Sequence, residues 1–218
     1  MRKDILSKII SSEKELEYDE NMNNIEKEIE EVDILSDFDG TMVKGGIPYK
    51  GILIYLLLQE CPFNFFKEIT KNYSEYKKTQ NPKEFYKLFK GCPVEILDHI
   101  AESMHQNEEW NKLILNLNPQ KVGVISRNSK RLISKYLELN DNLPASIKLI
   151  IANEPEIDNG KYTGEANIFV SPINLNRLTR TKPYICGKEE KRILEKQDIY
   201  IKRTSNSGLY ICERNKSY

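Results

Sequence analysis

Two carboxylates, Asp37 and Asp39, stand two residues apart in the run Ile34-Leu35-Ser36-Asp37-Phe38-Asp39-Gly40-Thr41. In an extended segment, side chains two apart point to the same side, so both acids can face one substrate. One can attack as a nucleophile while the other serves as general acid or base. Ser126 closes a second apolar run, Val122-Gly123-Val124-Ile125. A hydroxyl at a strand end beside the amides of a following helix suits a phosphate group, although serine is also a routine helix cap. The 2 histidines, His99 and His105, both fall in a helical segment, His99 near its apolar positions and His105 at a helix end. Both are expected to be structural or solvated, which excludes a Ser-His-Asp triad and a histidine-rich metal site.

These residues need strands to present them. Val32-Asp33-Ile34-Leu35 reads as a buried strand of parallel type, and Gly40-Thr41 as a turn. In an open α/β sheet, ligands bind past the carboxyl ends of the strands, where both acids would stand. The run 122–125 is the second strand, with Arg127-Asn128-Ser129 opening a helix that continues through Leu132, Ile133 and Tyr136. Lys148-Leu149-Ile150-Ile151-Ala152 is the third, and Asp158-Asn159-Gly160 marks a hairpin within 153–170. Asp198-Ile199-Tyr200-Ile201 is expected as the last core strand. The fold class is therefore α/β, a small doubly wound parallel sheet with strands near 32–38, 121–126, 147–152 and 198–202.

Between Gly45 and Pro119 the chain reads as helical. Ile52–Leu58 is apolar on all sides, and a helix from Pro62 carries Phe63, Phe66, Ile69 and Tyr73 on one face. Asn81-Pro82 interrupts it. Phe85, Leu88 and Phe89 mark a short helix before Gly91, and Pro93 starts another with Val94, Ile96, Leu97, Ile100 and Met104. Trp110, Leu113, Ile114 and Leu117 lead back to the core. The expected organisation is an N-terminal helical arm at 1–31, a core at 32–44 and 120–218, and a helical cap at 45–119. In the arm, Ile5, Leu6, Ile9 and Ile10 recur at helical spacing, and Asn21 to Glu31 is expected as a second, largely exposed helix.

A chain of 218 residues allows one ordinary domain, or a core with a smaller insert. Hydrophobic content of 39% and charged content of 30% suggest a modest core under charged helical surfaces. Lys+Arg and Asp+Glu balance at 33 each, so no net field attracts nucleic acid or an anionic membrane. Cys61, Cys92, Cys186 and Cys212 fit neither zinc nor dithiol spacing and are expected as reduced thiols. The N-terminal Met-Arg-Lys-Asp lacks a signal-peptide pattern, and Ile52–Leu58 is too short to span a bilayer. A cytoplasmic location without membrane partners is expected; oligomeric state is left open.

The run Asp37-Phe38-Asp39-Gly40-Thr41 resembles motif I, Asp-x-Asp-Gly-Thr, of the haloacid dehalogenase (HAD) superfamily, whose members are mostly phosphatases. Ser126, behind a cap-sized insert, resembles motif II. The strand ending in Ala152-Asn153, followed by Gly160-Lys161-Tyr162-Thr163-Gly164, is similar to the phosphoserine-phosphatase-like branch. The resemblance covers residues 32–170 and implies a HAD-like, Rossmannoid core with an α-helical cap. It implies an aspartyl-phosphate on Asp37, with Asp39 protonating the leaving oxygen and then activating water. Thr41 would orient the turn, Ser126 would bind a phosphoryl oxygen, and Mg2+ would be held through Asp37 and Asp39. Gly40, Arg127, Asn128 and Arg203 are candidates for binding a small phosphorylated substrate. Cys186-Gly187-Lys188-Glu189-Glu190-Lys191 looks like the family's lysine region, with Lys188 as the charge-neutralising residue and Lys191 in reserve.

Beyond residue 170 the pattern departs. The family's Gly-Asp-x-x-Asn-Asp is met after 198–201 by Lys202-Arg203-Thr204-Ser205-Asn206-Ser207, where only Asn206 matches. A rival alignment puts the strand at Tyr184-Ile185-Cys186, so that Gly187 matches, Lys188 replaces the aspartate and Glu189 or Glu190 must serve as the acid. A missing acid weakens Mg2+ binding. Two functions are thus expected: a Mg2+-dependent phosphatase, or a catalytically weakened relative that binds a phosphorylated ligand or a protein partner as a regulator. In the second, Arg203 or Lys202 would bind phosphate directly.

Overall fold

The computed structural model describes residues 21–44, 71–76, 78–79, 81–195, 200–203 and 208–213. The expected helices at Ile5–Ile10, Ile52–Leu58 and Phe63–Ile69, and the residues 204–207, lie outside them. In chain order the strands are β1 (Ile34–Ser36), β2 (Val43–Lys44), β3 (His105–Gln106), β4 (Lys121–Ser129), β5 (Ser146–Asp158), β6 (Lys161–Asn167), β7 (Tyr184–Cys186), β8 (Tyr200–Arg203) and β9 (Tyr210–Glu213). Seven of them form one sheet in the order β6-β5-β4-β1-β7-β9-β8. β1 pairs in parallel with β4 and β7, and β4 with β5. β6, β9 and β8 join antiparallel at the two edges. The protein is α/β with a parallel centre and antiparallel edges, rather than parallel throughout. Among the described residues, no helix is long and apolar enough to cross a membrane.

The expected core strand at 198–202 is corrected. Tyr200–Arg203 lies at the sheet edge, separated from β1 by β9 and β7. The position beside β1 belongs to β7, whose three residues are all buried. A strand covered on both faces needs apolar side chains at every position, which Tyr184-Ile185-Cys186 supplies. A strand ending in Lys202-Arg203 suits an edge instead.

β4 also runs further than expected. Arg127, Asn128 and Ser129 remain extended, and the helix Lys130–Leu139 starts after them. Ser126 Oγ accepts the Asn128 N–H at 3.1 Å, and Asn128 Oδ1 accepts the Ser129 N–H at 2.7 Å. Such local side-chain bonds compete with a helical start, and the pairing with β5 shifts register here. The hairpin forms as expected: Asp158 pairs with Lys161 across Asn159 (φ 48°) and Gly160 (φ 74°), the two left-handed positions of a type I′ turn.

Residues 21–30 form the expected, largely exposed helix, with one narrow apolar face turned to the protein. Met22 and Ile29 are buried, one face packing with Leu175, Leu178, Tyr184 and Leu194 under the sheet. The segment after β1 is closed by a ribbon in which Val43 pairs with Gln106 and Lys44 with His105, placing His105 in a strand. The helix Glu108–Leu117 follows this ribbon and buries Trp110 completely. Before it, Tyr86, Phe89, Ile96 and Ile100 share one apolar cluster with Phe38, Val122, Tyr136 and Tyr162. The described part of the insert therefore packs on the sheet and its hairpin.

Candidate active site

β1 ends where its side chains begin to alternate between core and site. Phe38 turns inward and meets Tyr136 edge-on at 5.3 Å, while Asp37 and Asp39 turn the other way. Thr41 Oγ1 donates to Asp37 Oδ2 at 2.8 Å. Gly40 takes φ 69° in the turn between them. The Asp37 backbone is fixed on both sides. Its N–H donates to Ile185 O at 2.8 Å, and its carbonyl accepts Ser36 Oγ–H at 2.9 Å. Trp110 Nε1–H donates to that same Ser36 Oγ at 2.8 Å, and Asn107 Nδ2 holds the Thr41 carbonyl at 2.8 Å. β7 closes tightly against this turn: a Cβ on Gly187 would lie 3.2 Å from Thr41 Oγ1. Only glycine leaves that hydroxyl undisturbed.

From β4, Asn128 Nδ2 donates to Asp39 Oδ2 at 3.0 Å. Ser126, fully buried, lies two residues before it. Arg127 Nη2 donates to Glu189 Oε1 at 2.7 Å and to Glu190 Oε1 at 2.9 Å, both in the helix Lys188–Glu195 after β7. The Arg127 carbonyl accepts from Asn153 Nδ2 at 2.8 Å and from the Tyr86 hydroxyl at 3.3 Å. Asn153 is itself buried, donates to Val170 O at 3.1 Å and accepts the N–H groups of Phe169 and Val170.

The electrostatics follow from this crowding. Burial, then the charges of Glu190 and Asp39, hold Asp37 well above the usual carboxylate range. Burial pushes Asp39 up to about 6, against the hydrogen bond from Asn128. Arg127 lowers both acids. Its own burial works against its charge, but Glu190 and Glu189 raise its proton affinity above the ordinary value. Burial also raises Tyr76, whose ring packs on Phe85 at 5.3 Å.

Of the residues singled out from sequence, Asp37, Asp39, Gly40, Thr41, Ser126, Arg127 and Asn128 are brought to one place. Lys188 is exposed at the first position of its helix, and Lys191 pairs with Glu195. Arg203 lies in β8, with its side chain outside the described residues. Sequence reasoning assigned no role to Trp110, Asn107 or Asn153. The lone tryptophan and the Ala152-Asn153 strand end were visible, but neither type carries a chemical signature.

Mg2+ commonly takes one or two carboxylates, the remaining ligands being phosphate and water. Asp37 and Asp39 offer such oxygens; burial first, and neighbouring carboxylates after it, make their charged forms costly, a cost that a hard cation would offset. No group of three His, Cys, Asp or Glu side chains able to hold a metal occurs among the described residues. The residues thus fit Mg2+ through a thin donor set, with the Glu190 carboxylate turned toward Arg127.

No family model matches the sequence, and no curated protein matches it. Solved structures do. A probable phosphoserine phosphatase from Vibrio cholerae is 16% identical with a TM-score of 0.49, over 74% of this chain and 52% of that one. A phosphoserine phosphatase from T. onnurineus is 16% identical with a TM-score of 0.46, over 70% and 72%. A phosphoserine phosphatase in apo form is 21% identical with a TM-score of 0.41, and this chain spans 60% of its length. Parallel pairing around β1, with the paired acids at its end, is an α/β arrangement.

Proposed function

We propose that this protein is a Mg2+-dependent phosphatase of a small phosphomonoester, acting through an aspartyl-phosphate. The observation that carries the reading is the pair at the end of the central strand, Asp37 held by Thr41 and Asp39 held by Asn128. Asp37 would attack phosphorus while its other oxygen is kept in place by Thr41. The ester P–O bond breaks, and the leaving oxygen takes a proton from Asp39, whose raised pKa suits a general acid. Water then attacks phosphorus, Asp39 takes the water's proton, and the Asp37–phosphorus link breaks to release phosphate. Ser126 Oγ already accepts from Asn128, so its own proton remains to donate to a phosphoryl oxygen. Mg2+, held by Asp37 and Asp39, would offset the repulsion between the nucleophile and the phosphate dianion, several kcal/mol at about 4 Å. With Lys188 exposed, Arg127 is the better-placed cation for the phosphoryl charge. A cytoplasmic location, with no nucleic acid or membrane partner, accompanies the reading.

The second reading, a weakened member that binds a phosphorylated ligand as a regulator, is favoured by the thin donor set. Aryl-phosphate hydrolysis with and without Mg2+, beside Asp37→Asn, separates the two. Turnover that requires both the metal and Asp37 supports the phosphatase. A folded protein with no turnover above the variant supports the regulator.

A further inference from the structure

β4 and β7 flank β1 on its two sides. An ion pair between the last residues of β4 and the helix that follows β7 therefore crosses the end of β1, where Asp37 and Asp39 emerge. Arg127 and Glu190 make that pair, and Glu189 shares it through the same nitrogen, Arg127 Nη2. The two glutamates differ sharply in setting. The Glu190 side chain is 9% exposed and that of Glu189 64%, beside an arginine at 15%. A solvent-exposed ion pair contributes little, whereas a guanidinium binds a phosphoryl group through strong, forked, charge-assisted bonds.

We propose that Glu190 is the fixed anchor of Arg127 and that Glu189 is a placeholder, displaced when a phosphoryl group arrives. Arg127 then supplies the positive charge that the sequence pattern assigned to Lys188. The placement is economical: one buried carboxylate aims the guanidinium over the nucleophile, and one exposed carboxylate occupies it until the ligand does. Exchange of Glu189 for a phosphoryl oxygen trades a screened contact for a stronger one and removes no buried partner. The inference rests on the site binding a phosphoryl group, as proposed above.

The test is calorimetric titration of the full chain with inorganic phosphate in EDTA, so that no metal contributes. Wild type is expected to bind. Glu189→Gln, at an exposed position that leaves folding intact, is expected to bind about fivefold tighter, because the competitor is gone. Arg127→Lys keeps the charge and loses the fork, and is expected to bind at least about tenfold weaker. Unchanged or weaker phosphate binding by Glu189→Gln overturns the placeholder role, as does the absence of binding in both wild type and Glu189→Gln. Wild-type affinity in Arg127→Lys overturns the role of the guanidinium. Aryl-phosphate hydrolysis is scored separately. The expected binding pattern without turnover refutes the phosphatase and leaves this inference standing; turnover without the pattern does the reverse.

Discussion

The two flanks of the central strand hold their functional groups by different forces. On the β4 side, Ser126, Asn128 and Ser129 form a run of short-range hydrogen bonds that ends on Asp39. On the β7 side, Glu189 and Glu190 reach across to Arg127 through charge-assisted hydrogen bonds. Neutral bonds to backbone lock geometry, whereas ion pairs can exchange partners. The first flank therefore sets where the reacting atoms stand, and the second sets what charge they meet. The largest expected effect tests the first. Asp37→Asn should lower aryl-phosphate turnover by at least about 10³-fold, roughly 4 kcal/mol of barrier. Thermal stability should not fall, since a buried acid has been replaced by a neutral amide. Wild-type rates in the variant would remove Asp37 from the chemistry altogether.

In β5, on the outer side of β4, Asn153 makes four contacts from a fully buried position, to Arg127 O, Val170 O and the N–H groups of Phe169 and Val170. Asn153→Ala leaves these groups without their partner. About 3 kcal/mol of stability should be lost in urea unfolding. A loss below about 1 kcal/mol would mean that water replaces the amide and that the Arg127 carbonyl needs no tie.

A smaller effect separates the site acid from its neutral substitute. Asp39 has a folded-state pKa of about 6 against an ordinary 3.8, so folding takes up a proton between those values. The stability linked to that proton is full below about pH 4 and is lost as pH rises through 6. In metal-free protein, Asp39→Asn should exceed wild type above pH 6 by on the order of 2 kcal/mol and match it near pH 3.5. An equal gain at pH 3.5 and pH 7.5 in urea midpoints would show that packing, and not ionisation, is responsible.

Legibility in the sequence follows the same division. Asp37, Asp39 and Thr41 could be read because the alternation of a strand and the chemistry of a turn are local. So could Asn159-Gly160, whose positive φ angles the turn demands. Arg127 and Asn128 were placed at the site but in the wrong element, because the Ser126 and Asn128 side chains capture the amides that would have opened a helix. β7 was displaced in favour of 198–202 because three residues carry almost no periodicity; its place in the sheet is fixed by pairing with β1 and β9, which are distant in sequence. Trp110 reaches Ser36 across a separation of 74 residues, and no local pattern reports such a contact.

The smallest predicted effect lies away from the site and has the opposite sign. Glu26, in the helix over residues 21–30, accepts from Arg177 Nε at 2.7 Å and Arg180 Nη2 at 3.2 Å. The hydrogen bond from Arg177, outweighing burial, lowers its pKa below the ordinary 4.5. Stability from such a group is present above pH 4.5 and is lost as pH falls through the lower folded value. Glu26→Gln should therefore cost no more than about 1 kcal/mol at pH 7, and the cost should fade toward pH 3. Asp39→Asn gains at neutral pH while Glu26→Gln loses there. One carboxylate is kept charged by arginines of the helix Leu175–Thr179 and its end; the other carries its charge at a cost, because burial beside further acids raises its proton affinity. Unfolding curves of the two variants at pH 7.5 should thus shift in opposite directions from wild type. A shift in the same direction would mean that Asp39 is a structural acid like Glu26, and its assignment as the proton donor would fall.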